Sequence, residues 1–157
     1  MDEVMEAVGT DLSQFDEVVF CGYGESTYRL GEMAQLSPLF RERGARRIRL
    51  NTIGLGNLIH NRDITSDLSL FLDAVSISLN TMDPRQYVEI HRPLPEFRER
   101  AFQAACDFAR ACALAVADTT VTAIGLPKVD TARVQDFARS IGAQFRLRHL
   151  LNEYENR

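Results

Sequence analysis

No apolar run in this sequence approaches the roughly 20 residues needed to cross a bilayer, and no charged segment followed by an apolar one opens it as a leader would. A membrane-embedded protein is therefore not expected. Lysine is nearly missing too: of 18 basic residues, Lys128 is the one lysine and the rest are arginine. Against 22 acidic residues this leaves a formal net charge of −4, with no basic footprint for nucleic acid. The three cysteines, Cys21, Cys106 and Cys112, are odd in number and lack the spacing of a disulfide framework. A cytoplasmic protein with reduced thiols is the expectation. His60, His91 and His149 show no metal-ligand spacing, and no repeat, low-complexity tract or linker divides the chain. One domain, residues 1–157, follows. At 45% hydrophobic it can bury a real core, but it is shorter than the roughly 250 residues typical of a complete eight-stranded βα barrel.

Five short β-type runs are present instead: Glu17 to Cys21, Arg47 to Asn51, Ala74 to Leu79, Thr119 to Ile124 and Gln144 to Arg148. Amphipathic stretches with helix punctuation separate them. Ser37 before Pro38 restarts or kinks one helix and Gly44 ends it. Asp83 before Pro84 is an N-cap followed by a helix-first proline. Pro95 is expected to open the longest helix, on which Phe97, Ala101, Ala105, Phe108 and Cys112 form one apolar stripe. Alternating strands and helices predict an α/β fold with a mainly parallel sheet.

Three of the strands alternate in a way that a doubly covered parallel sheet does not need. Val75, Ile77 and Leu79 share one face, while Ser76, Ser78 and Asn80 share the other. Ile48 and Leu50 alternate with Arg47, Arg49 and Asn51, and Phe145 and Leu147 with Arg146 and Arg148. A sheet with helices on one face and a polar cavity on the other satisfies the pattern. A plain sheet with one solvent-exposed face is the alternative.

Ligands of parallel α/β folds bind at the carboxyl ends of the strands, which here read GYGEST, NTIGLG, SLNTMDP, AIGLP and RHL. Gly22 and Gly24 let a ligand approach the main chain, and Glu25 can meet a cationic group through a charge-assisted hydrogen bond. A turn carrying a solvated glutamate is the plain alternative. Cys106 and Cys112, six apart on a helix, read as core thiols, whereas Cys21 could face either side of its strand.

GYGEST resembles the GGE-type motif of the radical S-adenosylmethionine (radical SAM) superfamily, which contacts the methionyl amino group of the cofactor. NTIG resembles the motif closing that superfamily's third strand. SISLNTMDPRQYVEIHRP resembles its fourth strand and following helix, with Asp83, Tyr87, Ile90 and Arg92 in the matching places. The order holds from about residue 5 to residue 150, and the GYGEST turn and FRLRHL strand are most similar to the TatD-linked branch. The resemblance implies an incomplete parallel (β/α) barrel of about five strands with covering helices. It implies a cofactor site in which Gly22, Gly24 and Glu25 hold the amine, Ser78 and Asn80 face the ribose or carboxylate, the backbone near Gly125 flanks the adenine, and Asn51 is a further cofactor-binding residue. Arg146 and Arg148 are candidates for an anionic substrate group, with strand-packed surface arginines as the alternative.

The sequence also departs from that family. The CxxxCxxC motif that holds a [4Fe–4S] cluster is absent, Ile53 stands where asparagine is usual, and Ser26 where this branch often has proline. The expectation is a truncated or degenerate domain, lacking the first strand and cluster loop, with an S-adenosylmethionine pocket but no cluster ligands and no catalysis by this chain alone. A second expectation is a non-catalytic small-molecule-binding or interaction scaffold, whose exposed sheet edge at Glu17 to Cys21 would receive a partner chain or a second copy. A flavodoxin-like or Rossmann-like phosphate binder ranks last, because Glu25 would repel phosphate.

Overall fold

The computed structural model describes residues 2–149. Five strands, β1 (Val18–Phe20), β2 (Ile48–Thr52), β3 (Ala74–Ser78), β4 (Asp118–Ile124) and β5 (Gln144–Arg148), form one sheet. Its order is β1-β2-β3-β4-β5 and every neighbouring pair is parallel. Helix α1 (Asp2–Ala7) precedes β1, α2 (Leu30–Glu42) links β1 to β2, and the short α3 (Gly56–His60) and α4 (Thr65–Leu68) link β2 to β3. Helices α5 (Pro84–His91) and α6 (Ala101–Ala115) fill the next crossover, and α7 (Thr131–Ser140) the last.

The strand order determines where the helices go. Each strand is added beside the previous one in the same direction, and right-handed crossovers then place every helix on one face. The core has that composition: Ile48, Leu50, Val75, Ile77, Leu79, Val121 and Ala123 enter it from the sheet, all from one set of alternating positions. Met33, Phe40, Tyr87, Phe108, Cys112 and Phe137 meet them from the helices. The fold is thus an α/β half-barrel, an open parallel sheet with one helix layer. No helix among the described residues is long and apolar enough to cross a membrane.

Local signals explain most boundaries. The Asp83 carboxylate accepts from Arg85 N–H and Gln86 N–H to cap α5, with Pro84 at its first position, and Arg92 closes that helix in the left-handed region. Helix α2 runs through Pro38, and Ser37 Oγ donates to the Met33 carbonyl in the turn beneath it. Gly44, at φ +93°, follows the end of α2 as expected. One boundary differs from the sequence reading: α6 begins at Ala101 and not at Pro95. Residues 95–100 are turns closed by Phe97 N–H to Leu94, Arg98 N–H to Pro95 and Arg100 N–H to Phe97. Their side chains, apart from half-buried Phe97, are exposed, so little apolar burial draws this segment into the helix.

Candidate functional site

On the face opposite the helices, register brings polar side chains into rows. Asn51, Ser76, Thr120 and Gln144 form one row, and Ser78, Thr122 and Arg146 the next toward the carboxyl ends. Val19 pairs with Arg49 in register, so Cys21, two residues on, continues on this polar side and is exposed. At the amino-terminal end of the face the charges neutralise one another. Arg49 donates to both Glu17 oxygens, with Nη2 at 2.6 Å, and Arg47 joins Asp118 to the same group. The Arg49 hydrogen bond holds the Glu17 carboxyl below its usual range despite partial burial. A cavity of about 330 Å³ lies over these groups, walled also by Ser76, Thr120, Gln144 and Arg146.

The GYGEST segment lies at the end of β1. A short 3₁₀ turn, Ser26–Arg29, follows it, capped by the Glu25 side chain. Glu25 Oε1 accepts from Thr27 N–H at 3.1 Å, Thr27 Oγ1 at 2.8 Å and Thr52 Oγ1 at 2.7 Å. Its Oε2 accepts from Ile53 N–H at 2.8 Å. The carboxylate therefore ties the β1 loop to the end of β2. Side chains added at Gly22 or Gly24 would meet nothing within 4 Å, so the main chain there borders open space. With Glu25, these glycines line one end of a groove of about 620 Å³ along the β1 edge, whose walls include Val4, Val8, Val18, Phe20, Met33, Leu36 and Phe40.

The other expected site residues occupy different places. Asn51 is half-buried on the polar face and accepts from Arg49. Ser78 Oγ lies 3.4 Å from Arg148 Nη2. Asn80, in the left-handed region at φ 65°, is buried, and its Oδ1 accepts from Ile124 N–H, fastening β3 to β4. Gly125 continues the β4–β5 ladder by donating its N–H to the Arg148 carbonyl. None of these four lines the groove beside Gly22, Gly24 and Glu25. The structure thus gathers three of the seven expected residues at the β1 edge and distributes the rest across the rim.

Several rim groups make contacts that the sequence did not assign to them. Tyr87, fully buried, donates its hydroxyl to the Ile53 carbonyl at 2.8 Å, and burial pushes the phenol well above its usual range. Gly54, at φ +89°, would bring a side chain to 3.1 Å from the Ala105 backbone, so the NTIG loop packs directly on α6. His91 packs on the Tyr87 ring, with Nε2 at 3.3 Å from Asn80 Nδ2 and 3.4 Å from the Leu79 carbonyl. Burial lowers its pKa to about 4, so the ring is neutral near pH 7. It then accepts from the amide in one tautomer or donates to the carbonyl in the other. Its place on α5 gave no indication of contact with the end of β3.

The cysteines do not fit an iron–sulfur cluster. Cys106 and Cys112 are buried on α6, and burial pushes the Cys106 thiol up to about 11 and that of Cys112 further. Cys21 lies on the opposite side of the sheet. Among the described residues no three histidine, cysteine or acidic side chains could hold a metal ion together. A cluster needs several converging thiolates, and this chain supplies none in convergence.

No family model matches the sequence, and no curated protein matches it. Among solved structures, the chain is similar to a domain of pyruvate-formate lyase-activating enzyme from Bacteroides vulgatus ATCC 8482. The TM-score is 0.48 at 9% identity, covering 84% of this chain and 98% of that one.

Proposed function

We propose that this chain is a small-molecule-binding domain of radical SAM type, closest to the TatD-linked branch, that takes S-adenosylmethionine without a cluster of its own. The observation carrying this reading is the placement of its motifs. GYGEST, NTIG and SLNTMDP lie side by side at the carboxyl ends of β1, β2 and β3, in sequence order and joined by Glu25 and Tyr87. Because four donors already use the Glu25 carboxylate, its role is to set the loop. The carbonyls around Gly22 and Gly24 then offer the ligand's ammonium group its acceptors. In cluster-bearing relatives the cofactor supplies radical chemistry; here the residues bind and orient. Calorimetric titration of the whole chain with S-adenosylmethionine tests this. Saturable binding lost on Gly24→Val is expected, and no saturation at millimolar ligand would remove the reading.

A second reading is favoured by the β1 edge itself. One side of β1 pairs with β2, and beside its other side runs the largely apolar 620 Å³ groove. Such an edge accepts strand addition by a partner chain or a second copy. Sedimentation velocity distinguishes this scaffold role: a concentration-dependent dimer abolished by Val19→Pro supports it, and a monomer at all concentrations refutes self-association.

A further inference from the structure

The two halves of the polar sheet face differ in charge balance. At the amino-terminal end Glu17 and Asp118 neutralise Arg47 and Arg49. Toward the carboxyl end, ion pairing among the described residues leaves Arg146 and Arg148 without a carboxylate within 4.0 Å. These arginines lie two apart on β5, so both project onto the polar face as like charges. Burial first, and the neighbouring Arg146 second, lower the pKa of Arg148.

Between them and β3 lies Thr122, in register with Ser78 on one side and Arg146 on the other. It is 1% exposed, and its Oγ1 has no hydrogen-bond partner. Arg148 reaches across β4, placing Nη2 at 3.4 Å from Ser78 Oγ, while its Nε is buried without a partner. Buried polar groups are nearly always paired, so an unpartnered hydroxyl on β4 and an unpartnered guanidinium N–H on the neighbouring β5 leave room in the hydrogen-bonding for an acceptor. The 330 Å³ cavity over the amino-terminal half of the face ends at Arg146, the one of these residues that lines it.

We propose that Ser78, Thr122, Arg146 and Arg148 form a binding site for a small oxyanion, the carboxylate or phosphate group of a small molecule. Arg148 and Arg146 supply charge-assisted donors, and the two hydroxyls fix the oxygens between β3 and β5. Adjacent like charges would be relieved by the bound anion. This goes beyond the S-adenosylmethionine reading, whose ammonium acceptors around Gly22 and Gly24 line a different cavity, and it assigns Ser78, expected by resemblance in the cofactor site, to the anion.

Titrating the full chain separately with inorganic phosphate and with acetate, by calorimetry at low salt, tests the site and distinguishes the two sources. Saturable binding of at least one is expected, weakened about tenfold by Arg146→Gln or Arg148→Gln and several-fold by Thr122→Val. Arg139→Gln, at an exposed position of α7, removes the same charge elsewhere and is expected to leave affinity unchanged. Arg146 is exposed, so its substitution leaves the fold intact and its outcome decisive. Absence of saturable heat with both anions, or equal weakening by Arg139→Gln, would overturn the site.

Discussion

The Glu25 carboxylate offers the sharpest test of how the rim is held. Replacing it with alanine removes the acceptor of four hydrogen bonds: two from the main chain at Thr27 and Ile53, and two from the hydroxyls of Thr27 and Thr52. The hydroxyls can turn elsewhere, but the two N–H groups cannot. Thr27 is fully buried and Thr52 is 4% exposed, so water has little access to the network. Each stranded donor costs about 1–2 kcal/mol, giving a total loss of about 3 kcal/mol. For a chain of this size that is about 6–12 °C in melting temperature, or a urea midpoint lower by about 1–2 M. Glu25→Gln should fall between, because it keeps one acceptor but turns an NH₂ toward the Ile53 N–H. Urea unfolding followed by circular dichroism reads both. Stability of Glu25→Ala within about 0.5 kcal/mol of the parent would refute the brace. If that variant also bound S-adenosylmethionine more weakly, the carboxylate would be facing ligand after all.

Burial depresses the His91 pKa to about 4, so the unfolded chain, with a histidine near 6.5, takes up its proton first as pH falls. The associated stability is complete above about pH 6.5 and erodes toward pH 4, with a loss of about 2 kcal/mol by pH 5. Arg148 faces the ring, Tyr87 stacks on it and Asn80 approaches it, so nearby charge opposes protonation further. Urea midpoints at pH 7 and pH 5 for the parent and His91→Gln check this; identical pH dependence in both would reject it. For the thiols, a disulfide reagent at neutral pH should label exposed Cys21 alone in the native state. Cys106 and Cys112, with raised pKa values inside the core, should react only on unfolding. Fast labelling of a second thiol would contradict the packing of α6.

The strands were legible as short β-type runs, three of which alternate, and register carries that alternation across β2 to β5. Gln144–Arg148 was placed to the residue, and the other bounds agree or differ by one. The helix start at Ala101 was not legible, because Pro95 is a valid first-turn signal whose segment then finds no core to pack on. The site was harder still. Glu25 was singled out to receive a ligand's amino group, whereas its donors within the chain at Thr52 and Ile53 lie 27 and 28 positions away and become neighbours only when β1 pairs with β2. Similarly, the arginines of β2 were visible while their partners, Glu17 and Asp118, stood at strand margins. No local pattern says that those two carboxylates meet Arg47 and Arg49 and leave Arg146 and Arg148 without an acid.

That division follows from the topology. A sequentially ordered parallel sheet with right-handed crossovers must bury one face under helices, and five strands leave the other face open. An open face tolerates polar residues at little cost, so arginine, serine and threonine there require no special explanation. Burial without partners does require one. At the amino-terminal end the face closes over itself through ion pairs between neighbouring strands, and its charges are compensated within the chain. At the carboxyl end Thr122 and Arg148 are drawn under cover with donors unused. The same end carries the bare main chain of Gly22 and Gly24. The part of the sheet that does not satisfy itself is therefore the rim on which parallel α/β folds bind their ligands.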